Sequence, residues 1–169
     1  MTETETETAS PHAPKDPAAR RALQAAQAAL GAEHASVYGY GVVGARVAQE
    51  RAAEAREAHD AHRARRDAMS RAVRDLGGVP EAAAAGYALP FAVTDADSAV
   101  RLAAELEARV AAVYADLVGA AGGALRVEAA GALREAAVRA VRWHGGGVAF
   151  PGLTERNAPD QPSGSPDRT

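Results

Sequence analysis

The chain has 169 residues, a formal net charge of −3, 47% apolar residues and 4% aromatic residues. That length suits one domain with a real core, and the charge demands neither nucleic acid nor an anionic membrane as partner. With no cysteine, disulfides, thiolate metal sites, iron–sulfur clusters and cysteine nucleophiles are excluded.

Alanine, the strongest helix former, is about a quarter of the chain. Val or Ile runs at strand spacing are absent, so the fold is expected to be all-α. Residues 1–15 repeat Thr-Glu and then turn Pro-rich, which reads as a disordered tail. They lack the basic start and apolar stretch of a signal peptide. No apolar run approaches the ~20 residues needed to cross a bilayer. A cytoplasmic protein without membrane contact is expected.

Asp16-Pro17 is a good helix start, because Asp caps free amides and Pro is tolerated in the first turn. This first helix runs to about Val47. No Gly or Pro breaks Ala48–Arg51, but the apolar register slips between Val47 and Ala52, which predicts a turn. The second helix ends at Gly77-Gly78, with Pro80 just beyond. A short helical piece is expected at Glu81–Ala85, then an extended apolar crossover over 86–93. Thr94-Asp95-Ala96-Asp97 resembles a capping box and opens a third helix, which stops at Gly122-Gly123. The fourth helix spans about Leu125–Trp143, with its apolar face centred on Leu133, Ala137 and Val141. Glu128, Glu135, Arg139 and Arg142 fall on its solvated side. After Gly145-Gly146-Gly147, the segment Val148–Pro151 is expected to dock back, and residues 153–169 read as a second disordered tail. The folded part is thus 16–152: two antiparallel hairpins joined by a crossover too long for an up-down bundle.

Ionisable residues occupy positions where these helices should bury apolar ones. The three-four spacing of a core seam selects His59, His62, Arg66, Met69 and Val73 in the second helix. In the first it selects Leu30, Glu33, Val37 and Tyr40. Counting outward from the turns places Glu33 level with Arg66 and within a turn of His62, and Glu107 near Val138. Buried ionisable groups are costly unless paired or bound to metal. The seam therefore indicates either a metal site or an ion-pair network, with Arg66 the natural partner of Glu33. A faint repeat accompanies it: Glu33 precedes Tyr40, and Glu107 precedes Tyr114, each by seven residues, so each pair shares a helix face. Tyr38, Tyr40 and Tyr114 read as core tyrosines with bonded hydroxyls. Gly39, Gly41 and Gly44 read as close-packing positions rather than a phosphate loop.

The segments Ala32–Gly41 and His59–Asp67, the Tyr87–Phe91 crossover and the Trp143–Gly152 end resemble the ferritin-like superfamily. More narrowly, they resemble a family of uncharacterised actinobacterial ferritin-like domains. The resemblance implies a ferritin-like four-helix bundle. Di-iron members use a Glu from each of two helices and a Glu-x-x-His from each of the others. Glu33 and Glu107 match the lone glutamates. His59-x-x-His62 takes the first Glu-x-x-His position with His for Glu. Glu135-x-x-Val138 takes the second without its His. A single divalent transition metal (iron, manganese or zinc) held by Glu33, His59, His62 and Glu107 is one expectation. A non-catalytic assembly or partner-binding module with a structural Glu33/Arg66/His62 network is the second. A small-apolar-ligand binder walled by Tyr40, Tyr114 and the crossover is the third. Homodimerisation suits the architecture.

Overall fold

The computed structural model describes residues 16–145; the two tails and the Val148–Pro151 segment lie outside the described residues. Four long helices follow in order: α1 (Pro17–Arg46), α2 (Ala52–Asp75), α3 (Ala96–Ala120) and α4 (Gly123–His144). Among the described residues there is no strand, and no helix is long and apolar enough to cross a membrane.

Local chemistry sets the helix ends. The Asp16 carboxylate accepts from the Ala18 and Ala19 amides, and Pro17 occupies the first helical position. The chain between Arg46 and Ala52 is a single 3-10 turn, Gln49–Arg51, so α1 and α2 are separate helices. The capping box that opens α3 sits one residue later than its sequence suggests. Asp95 is the cap, its carboxylate accepts from the Ser98 amide, and the Ser98 hydroxyl returns to the Asp95 amide.

No helix forms at Glu81–Ala85. Five residues are too few to nucleate one alone, and α1 captures the backbone here instead. Gln27 Nε2 donates to the Val79 carbonyl at 2.6 Å, and the Glu81 amide donates to Gln27 Oε1 at 3.2 Å. His34 Nε2 lies 3.2 Å from the Glu81 carbonyl, and Tyr38 packs on Tyr87. Tyr38 is 41% exposed, an interface residue of the crossover rather than of the core.

Tight packing joins α1 to α2, α1 to α3, and α3 to α4. The α1–α3 pair is antiparallel, because Tyr40 meets Glu107 while Glu33 meets Tyr114. Gly39 lets these two helices approach: a Cβ there would lie 2.6 Å from Leu106 Cδ1. Gly41 and Gly44 have open space at that position, so they are not packing glycines. Long side chains bridge α2 and α4, with Arg65 pairing with Glu135 at 2.7 Å.

The apolar interior falls into two clusters. One holds Leu30, Met69, Val73, Val110 and Leu117; the other holds Val43, Leu102, Leu106 and Trp143. Between them lies a layer of fully buried polar side chains.

The face of α4 differs from its sequence reading. The helix buries Ala129, Ala132, Ala136 and Trp143, while Val138 and Val141 remain 46% and 40% exposed. The interior opposite α4 is already filled by Tyr40, Tyr114 and the polar layer, and alanines are what still fits there. A hydrophobicity pattern follows the larger Leu and Val side chains and so points about one residue away.

Candidate functional site

The polar layer is built from one side chain per seam position. Glu33 on α1, His62 on α2 and Glu107 on α3 have no exposed surface. His62 Nδ1 lies 2.7 Å from Glu33 Oε2, and His62 Nε2 lies 3.2 Å from Glu107 Oε1. The imidazole thus spans the two carboxylates and stacks on Tyr40, with centroids 5.2 Å apart.

The tyrosines close the layer reciprocally. Tyr40 on α1 donates to Glu107 Oε1 on α3 at 2.6 Å, and Tyr114 on α3 donates to Glu33 Oε1 on α1 at 2.8 Å. The seven-residue Glu–Tyr spacing is therefore a local two-fold relation between helices. The same sequence separation links a pair the sequence reading missed, although the two bond different partners, Arg65 to Glu135 and Arg139 to Glu107. Arg65 and Arg139 are 74 positions apart, as are Glu33 and Glu107, and Tyr40 and Tyr114 (139 − 65, 107 − 33, 114 − 40). Arg139 Nε donates to Glu107 Oε1 at 2.7 Å, with its side chain only 18% exposed. The same separation carries His62 onto Ala136, so the histidine has no counterpart and the relation breaks there.

Three sequence expectations change. Arg66 does not enter the interior; its guanidinium bonds Asp67 at 2.8 Å on the surface. At 3.6 residues per turn, Arg65 and Arg66 lie on either side of the inward direction, and Arg65 is the one turned to α4. Arg139 belongs to the interior rather than to a solvated face. Glu135 is not free in solvent, because Arg65 holds it.

His59 stands apart from Glu33, His62 and Glu107. It is about one-third exposed, and its Nδ1 lies 3.4 Å from Asp60.

Electrostatics follow from this geometry. Burial alone would lower the His62 pKa, but its hydrogen bonds to Glu107 and Glu33 and their charges outweigh that and raise it to about 9. Carboxylates only accept, so donation to both requires protons on both ring nitrogens, which is the imidazolium form. Burial would likewise raise the Glu107 pKa, yet His62 and Arg139 hold it below the usual carboxylate range. Both tyrosine hydroxyls are pushed well above their ordinary pKa, first by burial and then by the adjacent carboxylates. They remain neutral donors. The charges cancel: Glu33 and Glu107 against His62 and Arg139.

These donors do not fit a metal ion. The two imidazole nitrogens point at different carboxylates, so they offer no common point with them. Glu107 Oε1 already accepts from Tyr40, His62 and Arg139, which leaves Oε2, buried with no hydrogen-bond partner, as the one open oxygen of that carboxylate. The Arg139 guanidinium would repel a second cation. Among the described residues, no three His, Asp or Glu side chains are arranged to hold one.

A separate cleft of about 480 Å³ lies between the crossover and the α1–α3 pair, walled by Ala32, Leu89, Pro90 and Val113. Tyr40 and Tyr114 are not among its walls, because they turn to the carboxylates.

Residues 25–155 match the family described as a domain of unknown function, DUF4439, and the chain belongs to that family. A crystal structure of a conserved hypothetical protein, rv2844, from Mycobacterium tuberculosis is similar at a TM-score of 0.72 and 37% identity. The similarity covers 77% of this chain and 98% of that one. No curated protein matches the chain significantly.

Proposed function

We propose that this family member is a ferritin-like four-helix bundle in which protein cations, His62 and Arg139, take the place of metal. It acts as a non-catalytic module that meets partners through its surface. The observation carrying this reading is the His62 ring, which bonds Glu33 through one nitrogen and Glu107 through the other. The helix order, with antiparallel α1–α3 contact and a long crossover, supports the ferritin-like arrangement. Glu33 and Glu107 are the residues that the ferritin-like resemblance matches to the lone glutamates of di-iron members. Together the imidazolium and guanidinium supply the two positive charges that a divalent ion would bring, and they hold Glu33 Oε2 and Glu107 Oε1 by charge-assisted hydrogen bonds. Such a layer disfavours misregistered packing, because any slip leaves a buried charge alone.

Metal analysis tests the reading: mass spectrometry on untagged protein purified without chelators, beside Glu33→Ala and His62→Ala. The wild type is expected to be metal-free, and Glu33→Ala to be markedly less stable. Stoichiometric metal in the wild type, lost in both variants, would overturn it.

A further inference from the structure

Helix α4 carries an apolar stripe with no covering side chain among the described residues. Val127, Val138 and Val141 are 74%, 46% and 40% exposed. Val138 and Val141 join Ala130, Leu133 and Ala137 in a shallow groove of about 530 Å³, flanked by Arg134 and Arg142. The positions recur at the three-four spacing of a helix face made to be covered. A contiguous apolar patch of this kind marks a site of contact.

We propose that this groove is the seat of the chain's own segment Val148–Leu153, folded back antiparallel along α4. Gly145 ends the helix in the left-handed conformation (φ 78°), its amide donating to the Val141 carbonyl at 2.7 Å. That geometry turns the chain out of the helical path. Gly146 and Gly147 follow, and then Val-Ala-Phe-Pro-Gly-Leu, six residues without a charge. The reach is sufficient. Val138 lies about 10 Å from Gly145 along the helix axis, and the five residues to Phe150 span up to about 17 Å when extended. Pro151 has no amide needing a partner, so an extended strap costs less there. The family match runs to residue 155, beyond the end of α4, so this segment belongs to the family's pattern.

A second copy suits the groove less well. Two α4 faces would bring Arg134 and Arg142 of both copies together with no acidic side chain in the lining. The strap is uncharged, and the first charged residue after it, Glu155, is acidic and so opposite in sign to Arg134 and Arg142. The inference depends on the surface of α4 alone and stands apart from the interior reading.

The chain has no cysteine, so disulfide trapping in the full chain is clean. In Val138→Cys/Phe150→Cys, mild oxidation is expected to give a disulfide within one chain, read by non-reducing peptide mapping. In a second pair, the single cysteine of Val138→Cys should react with a thiol reagent about tenfold more slowly than that of Val138→Cys/Phe150→Ala, as local protection requires. A disulfide between two chains, joining position 138 of one to position 138 of the other, would overturn the proposal in favour of a second copy. No internal disulfide together with equal reactivity would overturn it in favour of an open face.

Discussion

Raising the pH through the neutral range perturbs one buried group above all. His62 titrates near 9 in the folded protein against 6.5 for its ordinary value, so the native state keeps its proton after the unfolded state has lost it. Its contribution is complete below about pH 6.5 and disappears as pH rises through about 9. Within that window stability falls by about 1.36 kcal/mol per pH unit, roughly 3 kcal/mol over the whole interval. For a chain of this size that corresponds to a drop in Tm of roughly 6–12 °C. The assay is urea unfolding followed by helical circular dichroism from pH 6 to 9.5, for wild type and His62→Gln. The variant has no group to titrate there and should show a nearly flat profile. A flat wild type, or the same slope in His62→Gln, would refute the assignment of an imidazolium between Glu33 and Glu107.

The tyrosine bonds predict a smaller, paired effect. Tyr114→Phe leaves Glu33 Oε1 without its donor and should cost about 1–3 kcal/mol in urea unfolding. Tyr40→Phe should cost less, because Glu107 Oε1 keeps Arg139 and His62. Glu107→Ala removes the acceptor of Arg139 and one of the two acceptors of His62 and should cost about 3–5 kcal/mol, by the same measurement. Arg66→Ala, at a surface pair, should change stability by under about 0.5 kcal/mol, whereas Arg139→Ala should cost several times more. Equal effects from the two arginines would contradict the interior role of Arg139.

Much of the helical layout was legible because alanine content, caps and Gly-Gly stops are local signals. Asp16-Pro17, the Gly77-Gly78 stop and the Val47–Ala52 slip each mark a boundary within a residue or two of the structural one. Glu33, His62 and Glu107 were legible as interior because charge at a seam position violates an otherwise apolar pattern. Spacing alone could not separate Arg65 from Arg66, since adjacent residues flank the same direction and only the position of α4 decides between them. Arg139 was hidden by the choice of face for α4. That helix buries its alanines, and a pattern weighted towards Leu and Val follows the stripe left outside. One signal could have recovered it: the separation linking Glu33 to Glu107 also links Arg65 to Arg139. The expected helix at Glu81–Ala85 fails for a non-local reason, since Gln27 and His34 bind that backbone from α1.

The most direct test of a protein cation at the centre of the layer is nitrogen-15 NMR of the His62 ring at pH 7.5, with divalent transition metals added. Both ring nitrogens are expected to be protonated, with the imidazolium shift, and unchanged by the added metals. A single protonated nitrogen, or a resonance displaced or broadened by metal, would contradict it.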